Sequence, residues 1–72
     1  MVNANLLKSK MALHGDNKTM LANYLSISRQ TLTLKMSGAN DFNQSEIKSI
    51  ILKYDLTPEE TEEIFFGEVD EP

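Results

Sequence analysis

The sequence predicts an all-α protein, a compact bundle of five short helices that forms a single domain over residues 1–72. Apolar residues recur at the spacing that places them on one face of a helix, and no stretch alternates apolar and polar residues as a strand would. Capping residues and glycines separate these stretches. A hydrophobic content of 40% and a charged content of 25% are ordinary for a folded domain of this size.

The first predicted helix runs from about Asn5 to His14. Leu7 and Met11 stand four residues apart and share one face, and Gly15 can adopt the left-handed conformation that closes a helix.

The second predicted helix follows the N-cap candidate Asn17 and ends before Ser26. Its apolar face carries Leu21 and Leu25, and Ala22 is small enough to let another helix cross closely.

Ser28 is the predicted N-cap of the third helix, which Gly38 ends. Leu32 and Met36 face inward together with Ile27 in the preceding turn. Four residues of this helix are then left pointing outward: Arg29, Gln30, Thr33 and Leu34.

Capping boxes predict the starts of the last two helices. Asn43 with Glu46 opens the fourth, whose apolar stripe is Ile47, Ile50, Ile51 and Tyr54. Thr57 with Glu60 opens the fifth, which has Pro58 at its first position and ends in an apolar run before Gly67. The tail, residues 68–72, is expected to fray.

The composition argues against several functions. Cysteine is absent and there is one histidine, so neither a metal site nor a cofactor is expected, and no catalytic role is predicted for the glutamate-rich start of the fifth helix. No apolar run could span a membrane, and we expect a cytoplasmic protein. The net charge of −4 conceals two unlike halves: residues 1–40 are net positive, and residues 41–72 are strongly acidic. This asymmetry suits a basic face that approaches a polyanion, or simply an acidic tail in solvent.

The stretch NKTMLANYLSISRQTLTLKMSG, residues 17–38, resembles the helix-turn-helix of Cro/C1-type (Xre-like) phage repressors. The flanking segments are similar to the rest of a small prophage repressor, so the resemblance implies a lambda-repressor-like DNA-binding domain over nearly the whole chain. Two positions depart from the family pattern. Ser26 occupies the turn position where glycine is commonest, and Lys35 stands where many relatives bury an apolar residue. We expect Lys35 to point outward while Met36 takes the buried position.

The resemblance implies a sequence-specific regulator, a repressor that reads double-stranded operator DNA through the major groove. Arg29 can pair with guanine and Gln30 with adenine, while Thr33 or Leu34 can touch a thymine methyl group. For Leu34, packing against another helix is an equal alternative. Six further residues are candidates for contacts to phosphates: Asn17, Lys18, Ser28, Lys35, Ser37 and Asn40.

The family usually binds as a twofold dimer, and the fifth helix is a candidate for the contact between copies. The residues involved would be Ile64, Phe65, Phe66 and Val69. The alternative is that the phenylalanines only close the core of one copy. A different class of function also stays open, a protein-binding module on the same scaffold, such as an antirepressor or an antitoxin-like partner, which the overall negative charge favours.

Overall fold

The computed structural model describes residues 2–67, and within them the chain consists of helices joined by short turns, with no strand. In chain order the helices are α1 (Ala4–Leu13), α2 (Lys18–Leu25), α3 (Arg29–Ser37), α4 (Gln44–Tyr54) and α5 (Pro58–Thr61), followed by a terminal π-helix (Glu62–Phe66). The radius of gyration of 11.5 Å is close to the ~11 Å expected for a folded domain of this length. Within residues 2–67 the prediction of an all-α fold with five helices is confirmed, with the π-helix as the continuation of the fifth. The expected fraying of residues 68–72 lies outside the described residues.

The boundaries of α1 and α2 follow from side chains that cap the helices. The Asn3 side chain accepts a hydrogen bond from the Leu6 amide at 3.1 Å, and the Asn17 side chain accepts one from the Met20 amide at 2.9 Å. Between the two helices Gly15 takes a left-handed conformation, φ 73°. Each of these groups meets backbone donors or carbonyls that a helix end leaves without partners.

A tight turn joins α2 to α3. Ser26 adopts φ 61° and ψ 38°, so this serine takes the left-handed conformation that glycine accepts at lower cost. Two bonds hold the turn: the Ser26 amide donates to the Asn23 carbonyl at 3.1 Å, and the Ile27 amide donates to the Ala22 carbonyl at 3.0 Å. Ala22 is buried with 2% of its surface exposed, as expected of a small residue between closely packed helices.

Both predicted capping boxes are present. The Asn43 side chain accepts a hydrogen bond from the Glu46 amide, and the Glu46 side chain accepts one from the Asn43 amide. Thr57 and Glu60 make the same two bonds at the start of α5. The fifth helix is less regular than the sequence predicts, because after one α-helical turn it widens into the terminal π-helix. It ends at Gly67, where a Cβ atom would stand 2.8 Å from the Glu63 carbonyl oxygen.

One core joins α1, α2, α3, α4 and the terminal π-helix, whereas α5 contributes no buried residue. The members of the core are Leu7, Met11, Leu21, Ala22, Leu32, Met36, Phe42, Ile50, Tyr54, Leu56, Ile64 and Phe65. The two ends of the described chain are also fastened together, because the Asn3 amide donates to the Ile64 carbonyl at 2.7 Å. Because Leu32 and Met36 of α3 lie in this core, the opposite side of α3 faces solvent.

Candidate nucleic-acid interface

The outer side of α3 carries the four residues that the sequence places there. Leu32 is fully buried and Met36 is 3% exposed, which fixes the inner side of the helix. Arg29, Gln30, Thr33 and Leu34 are all exposed. Leu34 is 41% exposed, so it lies on the same surface and does not pack inside the core. A base-reading role for these side chains stays a prediction.

The start of α3 is fixed by Ser28. Its hydroxyl oxygen accepts a hydrogen bond from the Thr31 amide at 3.0 Å and donates to the Thr31 hydroxyl at 2.8 Å. The hydroxyl of Ser28 is therefore used inside the chain as a cap. Arg29 and Gln30 occupy the first turn that this cap starts, where side chains of a groove-bound helix are nearest the bases.

The beginning of α2 lies beside the outer side of α3. The Lys18 ammonium nitrogen is 3.4 Å from the Thr33 hydroxyl, and that hydroxyl donates to the Arg29 carbonyl at 3.1 Å. Within residues 2–67 neither Lys18 nor Arg29 has a carboxylate within salt-bridge distance. Two cations from two helices thus share one surface without an acidic partner from the described chain.

Asp16 immediately precedes Asn17, the N-cap of α2, and its side chain links the start of α2 to α4. Its carboxylate accepts a hydrogen bond from the Tyr54 hydroxyl at 2.7 Å and lies 3.4 Å from the Lys53 ammonium. Burial raises the pKa of the Tyr54 hydroxyl, and the hydrogen bond and negative charge of Asp16 raise it further. This contact holds the first residues of α2, including Lys18, in a fixed place relative to the core.

The far end of the surface lies where α3 ends. The Ser37 hydroxyl donates to the Leu34 carbonyl at 2.9 Å, and the amides of Ala39 and Asn40 donate to that same oxygen at 3.0 and 3.2 Å. Gly38 permits this by adopting φ 90°. Ser37 and Asn40 are exposed here, so both residues lie on the surface, and their contact with phosphates stays a prediction.

Lys35 differs from the sequence-based expectation. It does not point outward: its side chain is 13% exposed, and its ammonium donates to Glu46 Oε1 at 2.6 Å. Met36 is buried as expected. An ammonium held by a buried carboxylate is not free to meet a phosphate, so Lys35 leaves the set of candidate phosphate contacts.

Both capping-box glutamates also have lysine partners from distant helices, which the sequence does not predict. Glu46 binds Lys35 of α3, and Glu60 binds Lys10 of α1. The hydrogen bond from Lys10 lowers the pKa of the Glu60 carboxyl, and the Thr57 amide lowers it further. The motif in the sequence identifies each glutamate, but nothing local identifies a lysine 11 or 50 residues away.

The residues predicted for a dimer contact divide between core and surface. Ile64 is fully buried and Phe65 is 6% exposed, so both belong to the core of one copy. The prediction that these two residues contact a second copy is therefore wrong. Phe66 is 56% exposed. It borders an open groove of about 310 Å³ whose other lining residues are Val2, Gly38, Asp41, Phe42, Ile47 and Phe65. Val69 lies outside the described residues.

No helix in residues 2–67 has the length and apolar character needed to cross a membrane. The same range contains no group of three histidine, cysteine, aspartate or glutamate side chains placed to hold a metal ion.

Comparisons of the chain with protein-family models, with curated proteins and with solved structures find no match. A functional assignment therefore depends on the geometry of the exposed side of α3 and its neighbours.

Proposed function

We propose that the protein is a sequence-specific DNA-binding regulator, a repressor of the Cro/C1 type that occupies an operator. In this proposal α2 and α3 form a helix-turn-helix, and α3 lies in the major groove. The observation that supports it most is the composition of one surface. The exposed side of α3 presents Arg29 and Gln30 in its first turn, and Lys18 of α2 stands beside Thr33.

The chemistry of these side chains suits base edges and phosphates. Arg29 can donate two hydrogen bonds to guanine, and Gln30 can donate to and accept from adenine. Thr33 and Leu34 offer methyl groups to thymine. Lys18, with the first-turn amides of α2 behind the Asn17 cap, suits a phosphate, because a helix N-terminus favours anions.

Twofold pairing is part of the proposal, because two copies would read two half-sites about one DNA turn apart. With Ile64 and Phe65 in the core, the described residue left for such a contact is Phe66 at the edge of its groove. An exposed aromatic side chain beside a groove that is partly apolar suits association with an apolar surface.

The test is binding to DNA fragments taken from around the protein's own gene, in competition with unrelated DNA and at two salt concentrations. Three proteins are compared: the wild type, an Arg29→Ala, Gln30→Ala variant, and a control Asn5→Ala, Lys8→Ala variant that removes one amide and one cation from the exposed surface of α1. We expect the wild type and the control to prefer the same fragment.

We expect the Arg29→Ala, Gln30→Ala variant to lose that preference, because each bidentate base contact contributes about 1–3 kcal/mol of discrimination. Residual non-specific affinity should weaken as salt is raised. A wild type that prefers no fragment even at low salt would refute the proposal for that region.

A protein-binding module on the same scaffold is the second candidate. The net charge of −4 and the groove beside Phe66 favour it, since a negatively charged chain is repelled by DNA as a whole. If no fragment is preferred, capture of a partner by the wild type but not by a Phe66→Ala variant would support this function.

A further inference from the structure

A largely buried ion pair joins the last turn of α3, the helix that carries the candidate DNA-reading side chains, to the first turn of α4. Glu46 Oε1 accepts hydrogen bonds from the Lys35 ammonium at 2.6 Å and from the Asn43 amide at 3.0 Å. The two paired side chains are 13% and 9% exposed. Glu46 is the one charged residue among residues 2–67 that is classed with the buried side chains.

Stability alone is a poor reason for such a pair. Removing two charges from water is costly, and their attraction often does no more than offset that cost, so apolar residues of similar volume would serve the core equally well. What an ion pair adds is direction, because a hydrogen bond at 2.6 Å fixes one atom of α3 relative to one atom of α4.

Direction matters here because apolar contacts set the rotation of a helix less finely than a hydrogen bond does. Leu32 and Met36 hold the helix to the core through non-directional contacts, and methionine is a flexible packing residue. Side-chain tips lie about 6 Å from a helix axis. A rotation of about 10° therefore moves a tip by about 1 Å, which exceeds the range of about 0.5 Å over which a hydrogen bond keeps good geometry.

We infer that Lys35 and Glu46 are positioning residues that hold α3 at the rotation in which Arg29 and Gln30 meet base edges. The pair thereby sets sequence discrimination without touching DNA. The anchor is itself rigid, since the Asn43 amide holds Glu46 in its capping box at the start of α4. This inference rests on the proposed function.

The chain supplies a matched control. Lys10 of α1 and Glu60 form a second ion pair, which also uses the glutamate of a capping box and also joins two helices. That pair lies on α1 and α5, and neither helix carries a residue predicted to contact DNA. Its side chains are 19% and 30% exposed, and losing the pair should leave the rotation of α3 unchanged.

The experiment compares the wild type with two double variants, Lys35→Met, Glu46→Gln and Lys10→Met, Glu60→Gln. Each variant removes one positive and one negative charge, so the net charge of the protein stays the same, and glutamine can keep the capping box. The measured quantities are the ratio of affinities for the preferred fragment and unrelated DNA, and the dependence of non-specific affinity on salt. Urea unfolding confirms that both variants are folded.

We expect the Lys35→Met, Glu46→Gln variant to lose at least tenfold in the affinity ratio while its salt dependence stays that of the wild type. The Lys10→Met, Glu60→Gln variant should keep the ratio. If Lys35 instead contacted a phosphate, the slope of log affinity against log salt would become shallower by about 0.9, and specific and non-specific binding would weaken together. That result, or an unchanged ratio in both variants, would overturn the inference and leave the proposed function standing. A wild type without any preferred fragment would overturn both.

Discussion

Replacing Phe66 by alanine tests whether this side chain only packs within one copy or also contacts a second copy. The side chain is 56% exposed, so a little under half of it is buried in the monomer. Full burial of a phenylalanine stabilises a protein by about 1.5–3 kcal/mol. Truncation should therefore cost about 1 kcal/mol in the monomer. A domain of this size has a total stability of about 4–11 kcal/mol, so the variant should fold.

The assay is urea unfolding at two protein concentrations about a hundredfold apart, together with sedimentation of the folded protein. If Phe66 joins two copies, the wild type should gain up to about 2.7 kcal/mol of apparent stability at the higher concentration, since association favours the folded state by mass action. The Phe66→Ala variant should lose this dependence and sediment as a monomer.

Leu52→Ala is the control, because Leu52 is 78% exposed on α4 and does not line the groove. It should change neither the mass nor the concentration dependence. A loss of 3 kcal/mol or more for Phe66→Ala at both concentrations would refute the burial argument, since such a loss belongs to a core phenylalanine. The same sedimented mass for the wild type and Phe66→Ala would refute the role in dimerisation.

Two further predictions concern pH. Because its ion pair with Lys10 lowers the pKa of Glu60, the folded state favours the charged carboxyl, and the resulting stability is present at neutral pH and lost as the pH falls through the folded-state pKa. Glu60→Gln should therefore be less stable than the wild type at pH 7 in urea unfolding, and the difference should shrink on acidification; a difference that grows would contradict this. The pKa of Tyr54 is raised in the folded state, so its effect on stability depends on pH in the opposite direction. The stabilisation is present below about pH 10 and is lost as the pH rises above it. Tyr54→Phe should cost about 1.5–3 kcal/mol at pH 7, because it removes the hydrogen bond that the Tyr54 hydroxyl donates to the charged Asp16 carboxylate. Equal unfolding midpoints for the two proteins would show that this bond contributes nothing.

Much of this fold could be predicted because its signals are local. The caps Asn17 and Ser28 and both capping boxes join groups three residues apart, so the residues that make each hydrogen bond are neighbours in the sequence. The exposed side of α3 was also predictable, because the inward-facing Leu32 and Met36 recur at helical spacing and leave Arg29 and its neighbours on the other side.

Other features depend on packing between residues far apart in the chain. Phe42 lies in the turn before α4, where no periodicity marks it as buried, yet its ring meets that of Phe65 edge-on at 5.5 Å. Helical spacing alone could not decide which of Phe65 and Phe66 enters the core, because the chain there forms a π-helix with a different periodicity.

The local sequence therefore accounts for where the helices start and end, and for which side of α3 faces solvent. It does not show that Lys35 is held by Glu46, or that Lys10 is held by Glu60. The physical reason is the range of the interactions. A cap is completed within one helical turn, whereas an ion pair between helices exists only after the core has brought those helices together.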